Sequence, residues 1–334
     1  MDFQLTDDQR ALRAGMRELL ERRFPRTRLR TAVDGDAERG AELDRALWRD
    51  LGAAGLFALR VPESAGGVGL GLPEVVLAFE EAGRALLPGP LAATELAAGL
   101  SGALAAGAVQ GETVVTALDE EGAGAPVEHL ASADAVLALR SAAVELIPAA
   151  EVARAAEPIR SVDPATPLHR TAPIRTRQDQ AGPGRSGIAA RLRCEAALLT
   201  AAQQLGSASR TVELAVDHAK RRTQFGRPIG AFQAVQHLCA QMLVRAESSR
   251  SVVYAAAVTE DPGDIAAAKL LADEAAVHNA RDCLQVHGGM GFTWEADVHL
   301  HLKRAWVRAG QWQCAAAAEE ELAAGLVSTV ETCL

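Results

Sequence analysis

Apolar positions recur at helical spacing over most of the chain. Leu12, Met16, Leu19 and Leu20 follow Thr6-Asp7-Asp8-Gln9, in which Thr6 can cap a helix and Gln9 stands three residues on, the spacing of a capping box. Leu43, Leu47 and Leu51 form a second stripe that Gly52 and Gly55 end, and a glycine-rich turn at 66–71 precedes a third helix over 73–84, with Pro73 in its first turn. The pattern then changes. Short apolar runs at 114–118, 136–139 and 144–147 alternate with Gly and Pro, as strands of a small sheet do. Residues 171–187 hold Pro173, Gly182, Pro183, Gly184 and Gly187 among polar residues and read as a linker. Helical spacing returns with Leu198, Ala201, Leu205, Ala208, Val212, Ala215 and Ala219, whose alternating steps of 3 and 4 make a seam needing a partner helix along its length. Further helices are predicted over 231–258, from a cap at Asp264 to the glycines at 288–291, and from near Trp294, where Val298, Leu302 and Trp306 make the last apolar stripe. The pattern divides the chain into a helical segment 1–110, a β segment with linker 111–187 and a helical segment 188–334.

Composition sharpens this picture in three ways. The 334 residues are 49% hydrophobic but only 4% aromatic, with alanine at many positions, which suits closely packed helices. A net charge of −9 argues against nucleic acid or an anionic membrane as the main partner. The five cysteines are an odd number, lie far apart and form no CxxC, so a reduced, cytoplasmic protein is expected. The acidic start shows no leader pattern, and prolines, glycines and Glu95 interrupt the least polar stretch, 86–109, so no membrane span is predicted.

Most candidate chemistry falls away on spacing. Gly66-Gly67-Val68-Gly69 does not match GxGxxG and has no βαβ unit around it, so it reads as a turn. No GxSxG occurs. Cys283 and His287 have the i, i+4 spacing of a ligand pair, but nothing converges on them, and His299 and His301 at i, i+2 point apart; no metal is expected. Two stretches remain: Arg222-Thr223-Gln224-Phe225-Gly226-Arg227-Pro228-Ile229-Gly230, with Phe232-Gln233 beyond, and Gln285-Val286-His287-Gly288-Gly289-Met290-Gly291-Phe292. An arginine at a helix end suits the helix dipole, but it can also grip a diphosphate bidentately. A Gly-Gly pair ends a helix, but it also lets backbone amides approach a ligand.

Taken together, these two stretches resemble the flavin signatures of the acyl-CoA dehydrogenase family. Leu51-Gly52-Ala53-Ala54-Gly55-Leu56 and the run from Val61-Pro62-Glu63 to Gly66-Gly67 resemble its N-terminal domain. The resemblance implies a mainly α fold: an N-terminal helical domain, a small reduced β-domain and a C-terminal four-helix bundle that forms a dimer interface. It implies FAD as cofactor and α,β-dehydrogenation of an acyl-CoA thioester. By the same resemblance Arg222 reaches the FAD diphosphate, while Gln224, Phe225 and Gln233 lie near the adenine half. Gln285, Gly288 and Gly289 contact the adenosine of a FAD held mainly by the neighbouring subunit.

The departures from the family are informative. Its usual catalytic Glu lies 27 residues after the Gln of the Gln-x-x-Gly-Gly segment, and that position here is Trp312, with no carboxylate between Asp297 and Glu319. A subgroup places the Glu 26 residues before the Arg, where this chain has Ala196; Glu195 is adjacent but turned by ~100° on a helix. The Thr-Glu-Pro and Trp-x-Ser/Thr segments that line the flavin ring are not recognisable, with Asp119-Glu120-Glu121-Gly122 as a remnant of the first. These departures predict the subunit without a base in a heteromeric enzyme, similar to the α2β2 dehydrogenases of actinobacterial steroid-CoA degradation. A second acyl-CoA dehydrogenase subunit would then be the partner and an electron-transfer flavoprotein the acceptor. Two alternatives stay open: a homodimeric flavoenzyme, dehydrogenase or oxidase, using Glu195, and a non-catalytic subunit that stabilises a flavoenzyme.

Overall fold

A computed structural model describes residues 4–35, 42–120, 126–140, 143–171 and 186–333. The expected linker falls mostly outside the described residues, as do Glu121 and Gly122. Helix α1 (Asp7–Arg23) starts at the expected capping box: the Gln9 amide donates to Thr6 Oγ1 at 3.2 Å and the Thr6 amide to Gln9 Oε1 at 3.0 Å. Helices α2 (Arg26–Val33), α3 (Arg45–Ala53), α4 (Leu72–Arg84), α5 (Leu91–Ala98) and α6 (Ala103–Val109) follow. Met16, Leu20, Leu43, Leu47 and Leu51 all point into one core, where Trp48 meets Phe57 with ring centroids 5.0 Å apart. In the glycine-rich turn the amides of Val68, Gly69 and Leu70 donate to the carbonyls of Ala58, Val61 and Leu59. These three donors are therefore committed to the turn and unavailable to a phosphate.

The middle segment contains β1 (Val115–Asp119), β2 (Val127–Glu128), β3 (Ala135–Leu139), β4 (Val144–Pro148), α7 (Ala149–Ala153), β5 (Ala156–Ile159) and β6 (Leu168–Thr171). One sheet has the order β1-β3-β4, with β1 parallel and β4 antiparallel to β3; the other has the order β2-β6-β5. The three runs read from sequence are β1, β3 and β4. The second sheet is built from strands of two to four residues, too short to show alternation.

Helix α8 (Ser186–Arg221) is the spine of the molecule. After it come a tight hairpin of β7 (Thr223–Gln224) and β8 (Arg227–Pro228), then α9 (Gln233–Thr259), α10 (Pro262–His287), a 3-10 turn Gly288–Phe292, α11 (Val298–Ala309) and α12 (Ala315–Cys333). Among the described residues no helix is long and apolar enough to cross a membrane. One sequence expectation needs correction. Asp261, not Asp264, caps α10, because its Oδ1 accepts from the amides of Gly263 and Asp264. The seam of α8 finds the partner helices it needs within its own chain. Leu198, Ala201, Leu205, Ala208, Ala215 and Ala219 lie under α4, α9 and α10, so this seam is not the surface left for a second subunit. Where α4 crosses α8 the backbones nearly touch: a Cβ on Gly206 would lie 1.8 Å from the Glu80 carbonyl oxygen, and one on Gly83 would lie 2.0 Å from that of Gln203.

Candidate functional site

The two signature stretches come together at one end of the bundle. Helix α8 ends where the Arg222 amide donates to the His218 carbonyl at 2.8 Å, and the Arg222 carbonyl in turn accepts from Ile229 at 2.8 Å. The hairpin turn needs left-handed backbone at Phe225 (φ 53°) and Gly226 (φ 77°), which leaves the Phe225 ring 90% exposed. Helix α10 ends at Gly288 (φ 60°), and nothing lies within 4 Å of a Cβ built on Gly288 or Gly289. The rings of His218 and His287 stack at 4.1 Å and join the two helix ends. Burial, then the charges of His287, Arg222 and Arg221, hold the His218 imidazole below its usual range, so it stays neutral beside the arginines. Gln224, Gln233 and Gln285 are exposed around this end. The Arg222 guanidinium is exposed, with no hydrogen bond or ion pair among the described residues.

The position of the usual base looks different. Trp312 follows α11 with left-handed backbone (φ 63°) and packs half-buried against the N-terminal core. Charged side chains fill the space beside it. Arg304 Nε bonds the Asp163 carboxylate, Thr166 Oγ1 donates to the same carboxylate at 2.6 Å, and Arg304 Nη1 reaches the Leu87 carbonyl at 3.1 Å. Gln311 Nε2 donates to Glu128 Oε2 at 2.9 Å. The cavity left between Trp312, Gln311, Glu128 and Arg308 is about 10 Å³, room for one water at most. Burial pushes Glu128 up, and it lowers Arg308, which sits beside the like charge of Arg304, to about 9. Burial also works against ionised Asp163, but Arg304 and the hydroxyl of Thr166 hold it below the usual carboxylate range.

Glu195, the other candidate, is buried and already held. Its Oε2 accepts from Arg60 Nη1 at 2.8 Å and its Oε1 lies 3.4 Å from Arg191, while Arg60 also clamps Glu95 at 2.8 and 3.0 Å. Burial raises Glu95 in spite of the Arg60 charge. Sequence reasoning found neither this clamp nor the Asp163–Arg304 pair, whose members lie 141 positions apart with no local pattern linking them.

Of the histidines and cysteines weighed as ligands, His287 Nδ1 lies 2.8 Å from the Cys283 carbonyl, His299 stacks on Trp294, and His301 Nδ1 pairs with Ser207 Oγ at 2.8 Å. Burial lowers both His301 and His129 to about 3. The folded chain keeps these rings neutral, whereas the unfolded chain protonates them below their ordinary value of 6.5. Their contribution to stability is therefore complete above that value and falls as pH drops toward 3, by up to about 1.4 kcal/mol per pH unit for each ring. Urea unfolding at about pH 7 and about pH 5 measures this slope, and His301→Asn is expected to flatten it by one ring's share.

Two family profiles match most of this chain: the acyl-CoA dehydrogenase N-terminal domain over residues 6–109 and the acyl-CoA dehydrogenase C-terminal domain over residues 188–310. The chain belongs to the acyl-CoA dehydrogenase family. It is 34% identical over 307 residues to acyl-CoA dehydrogenase IpdE2 of Mycobacterium tuberculosis, covering 90% of this chain and 91% of that one. Its fold matches a chain of the ChsE4-ChsE5 complex from Mycobacterium tuberculosis with a TM-score of 0.83 at 25% identity, over 98% of this chain and 99% of that one. A variant of the Tcur3481-Tcur3483 steroid ACAD matches at 0.80 and 25%, over 97% and 99%. The family consists of FAD-dependent oxidoreductases, and FAD is the cofactor. The structure fits one end of that cofactor and not the other. A guanidinium with no partner among the described residues, beside open glycine backbone, suits a diphosphate and adenosine. The cavity between Trp312, Gln311, Glu128 and Arg308, about 10 Å³ among the described residues, is too small for a flavin ring.

Proposed function

We propose that this chain is the subunit without the base in a two-chain acyl-CoA dehydrogenase. Its partner is a second acyl-CoA dehydrogenase subunit that holds the flavin ring and supplies the carboxylate, in an α2β2 assembly. The filled space around Trp312 carries this reading, because a base must reach the substrate α-proton and the charges there have no vacancy beside them. Bound FAD supplies the acceptor for the hydride that leaves the substrate β-carbon. The segment 188–334 would close the partner's site: Arg222 would hold the diphosphate, Gln224, Phe225 and Gln233 the adenine side, and Gln285, Gly288 and Gly289 the adenosine. A fused-ring acyl-CoA is the substrate class, supported by the steroid ACAD among the structural neighbours. An electron-transfer flavoprotein takes the electrons. The cytoplasm suits the free thiols of Cys194, Cys239 and Cys283.

The chain purified alone is expected to show no dehydrogenation of any acyl-CoA, and the chain co-expressed with its partner full turnover. Turnover by the chain alone would overturn the proposal. Glu195→Gln in the pair is expected to leave kcat within about twofold, since Glu195 serves Arg60, and to lower stability by about 1–3 kcal/mol in urea unfolding. Loss of turnover with stability intact would instead identify Glu195 as the base. A merely stabilising subunit would leave the flavin content unchanged in Arg222→Ala.

A further inference from the structure

We propose that the cleft closed by α1, α2, α4, α8 and α11 binds a neutral, mainly hydrocarbon molecule by its carbonyl oxygen. The cleft has a volume of about 380 Å³, within the range of small-molecule sites. Leu20, Phe24 and Leu29 line it from α1, α2 and the turn between them, Leu86 from the end of α4 and Leu214 from α8. Leu214 is half-buried and the other four are buried. The charged residues of the lining are matched among themselves. Glu81 holds Arg17 at 2.8 and 2.6 Å, Asp297 holds Arg26 and Arg30, and Glu213 holds Arg84 and Arg210. Each guanidinium that lines the cleft therefore has its carboxylate, and none is left over to select an anion. Glu21 is exposed to water.

What remains for a ligand is His301. Its ring is 4% exposed and lines the cleft. Nδ1 lies 2.8 Å from Ser207 Oγ, and Nε2 has no partner among the described residues. Burial, then the charges of Arg210 and Arg304, lower this ring to about 3, so it is neutral and carries its proton on one nitrogen. Ser207 decides which. Its hydroxyl is fully buried, and His301 is its partner with no other among the described residues, so the hydroxyl donates to Nδ1. The ring proton is then on Nε2, a buried donor that no described residue accepts from. Buried donors are seldom left unmade. A carbonyl oxygen in the cleft would accept from Nε2 while the leucines and Phe24 cover the hydrocarbon. A carboxylate or phosphate is disfavoured, because it would enter beside Glu81 and Asp297 with no cation left to pair it. The cleft is separate from the FAD end: Leu214 precedes Arg222 by eight residues, ~12 Å along a helix.

The test is the binding of adamantanone, a compact cage ketone, to the full chain by calorimetry. The expected result is a saturable heat, weakened by about tenfold in His301→Leu, which removes the donor without adding charge. Leu214→Trp, a substitution at a half-buried position, puts a larger side chain into the cleft and is expected to abolish the heat. Adamantane carboxylate, the same hydrocarbon cage with a charged group, is expected to bind at least about tenfold more weakly than the ketone. No saturable heat with the ketone would overturn the proposal, and so would equal affinity for the two cage compounds. A heat that Leu214→Trp leaves unchanged would place the ligand elsewhere, and one that a folded His301→Leu leaves unchanged would remove the donor from the site; either result overturns the proposal.

Discussion

Arg222→Ala is expected to strip FAD from the assembly while leaving this chain folded. The guanidinium is exposed and past the last turn of α8, so its removal breaks no hydrogen bond or ion pair among the described residues. Its proposed partner is a diphosphate, for which two charge-assisted bonds are worth about 3 kcal/mol or more, so FAD should dissociate on the order of 100-fold more readily. Arg222→Lys should recover only part of this, because an ammonium cannot make the paired bonds. Flavin absorbance after gel filtration, with a urea titration of the same protein, separates the two effects. Unchanged flavin content would remove Arg222 from the site, whereas a loss of stability equal to the loss of flavin would make its role structural.

Gly206→Ala has a large expected effect of the opposite kind. Helix propensity alone predicts a gain of about 1 kcal/mol from this change. The crossing of α4 over α8 predicts a loss, because the new methyl would stand 1.8 Å from the Glu80 carbonyl oxygen, a backbone atom with nowhere to go. Two helices must part along a buried face, and a net loss of about 3 kcal/mol or more is expected. Gly15 in α1 is the internal control. It too is helical, but nothing lies within 4 Å of its missing Cβ, so Gly15→Ala should stabilise by about 0.5–1 kcal/mol. Equal effects from the two substitutions in urea unfolding would contradict the packing described for the spine.

What could be read from the sequence was local and periodic. The Thr6–Gln9 box, the stripe of Leu43, Leu47 and Leu51, strands β1, β3 and β4 and the length of α8 all rest on spacing within one element. The two signature stretches were equally legible, since each is contiguous, and the His218–His287 stack brings them to the same end of the bundle. The failures have physical causes. Helix α12 was not foreseen because Ala315, Ala316, Ala317 and Ala318 run straight into Glu319, Glu320 and Glu321 without an apolar period. In α11 the expected stripe put Trp306 inward, but that ring is 43% exposed and the buried face instead holds His301, Arg304, Ala305 and Arg308. Polar residues at core positions hide a helical period. They are tolerated here only because Asp163 and Ser207, more than ninety residues away in sequence, meet two of them. For the same reason the closure of the cleft at Trp312 could not be read from composition. The missing carboxylate was visible, but the groups that take up the space were not.

On the proposed reading, this chain completes a flavin site it does not own. The most direct measurement is the molar ratio of FAD to protein in the purified two-chain assembly. The account predicts one FAD for each pair of chains, and none retained by this chain alone after gel filtration. One FAD for every chain, or a flavin ring held beside Trp312, would contradict it.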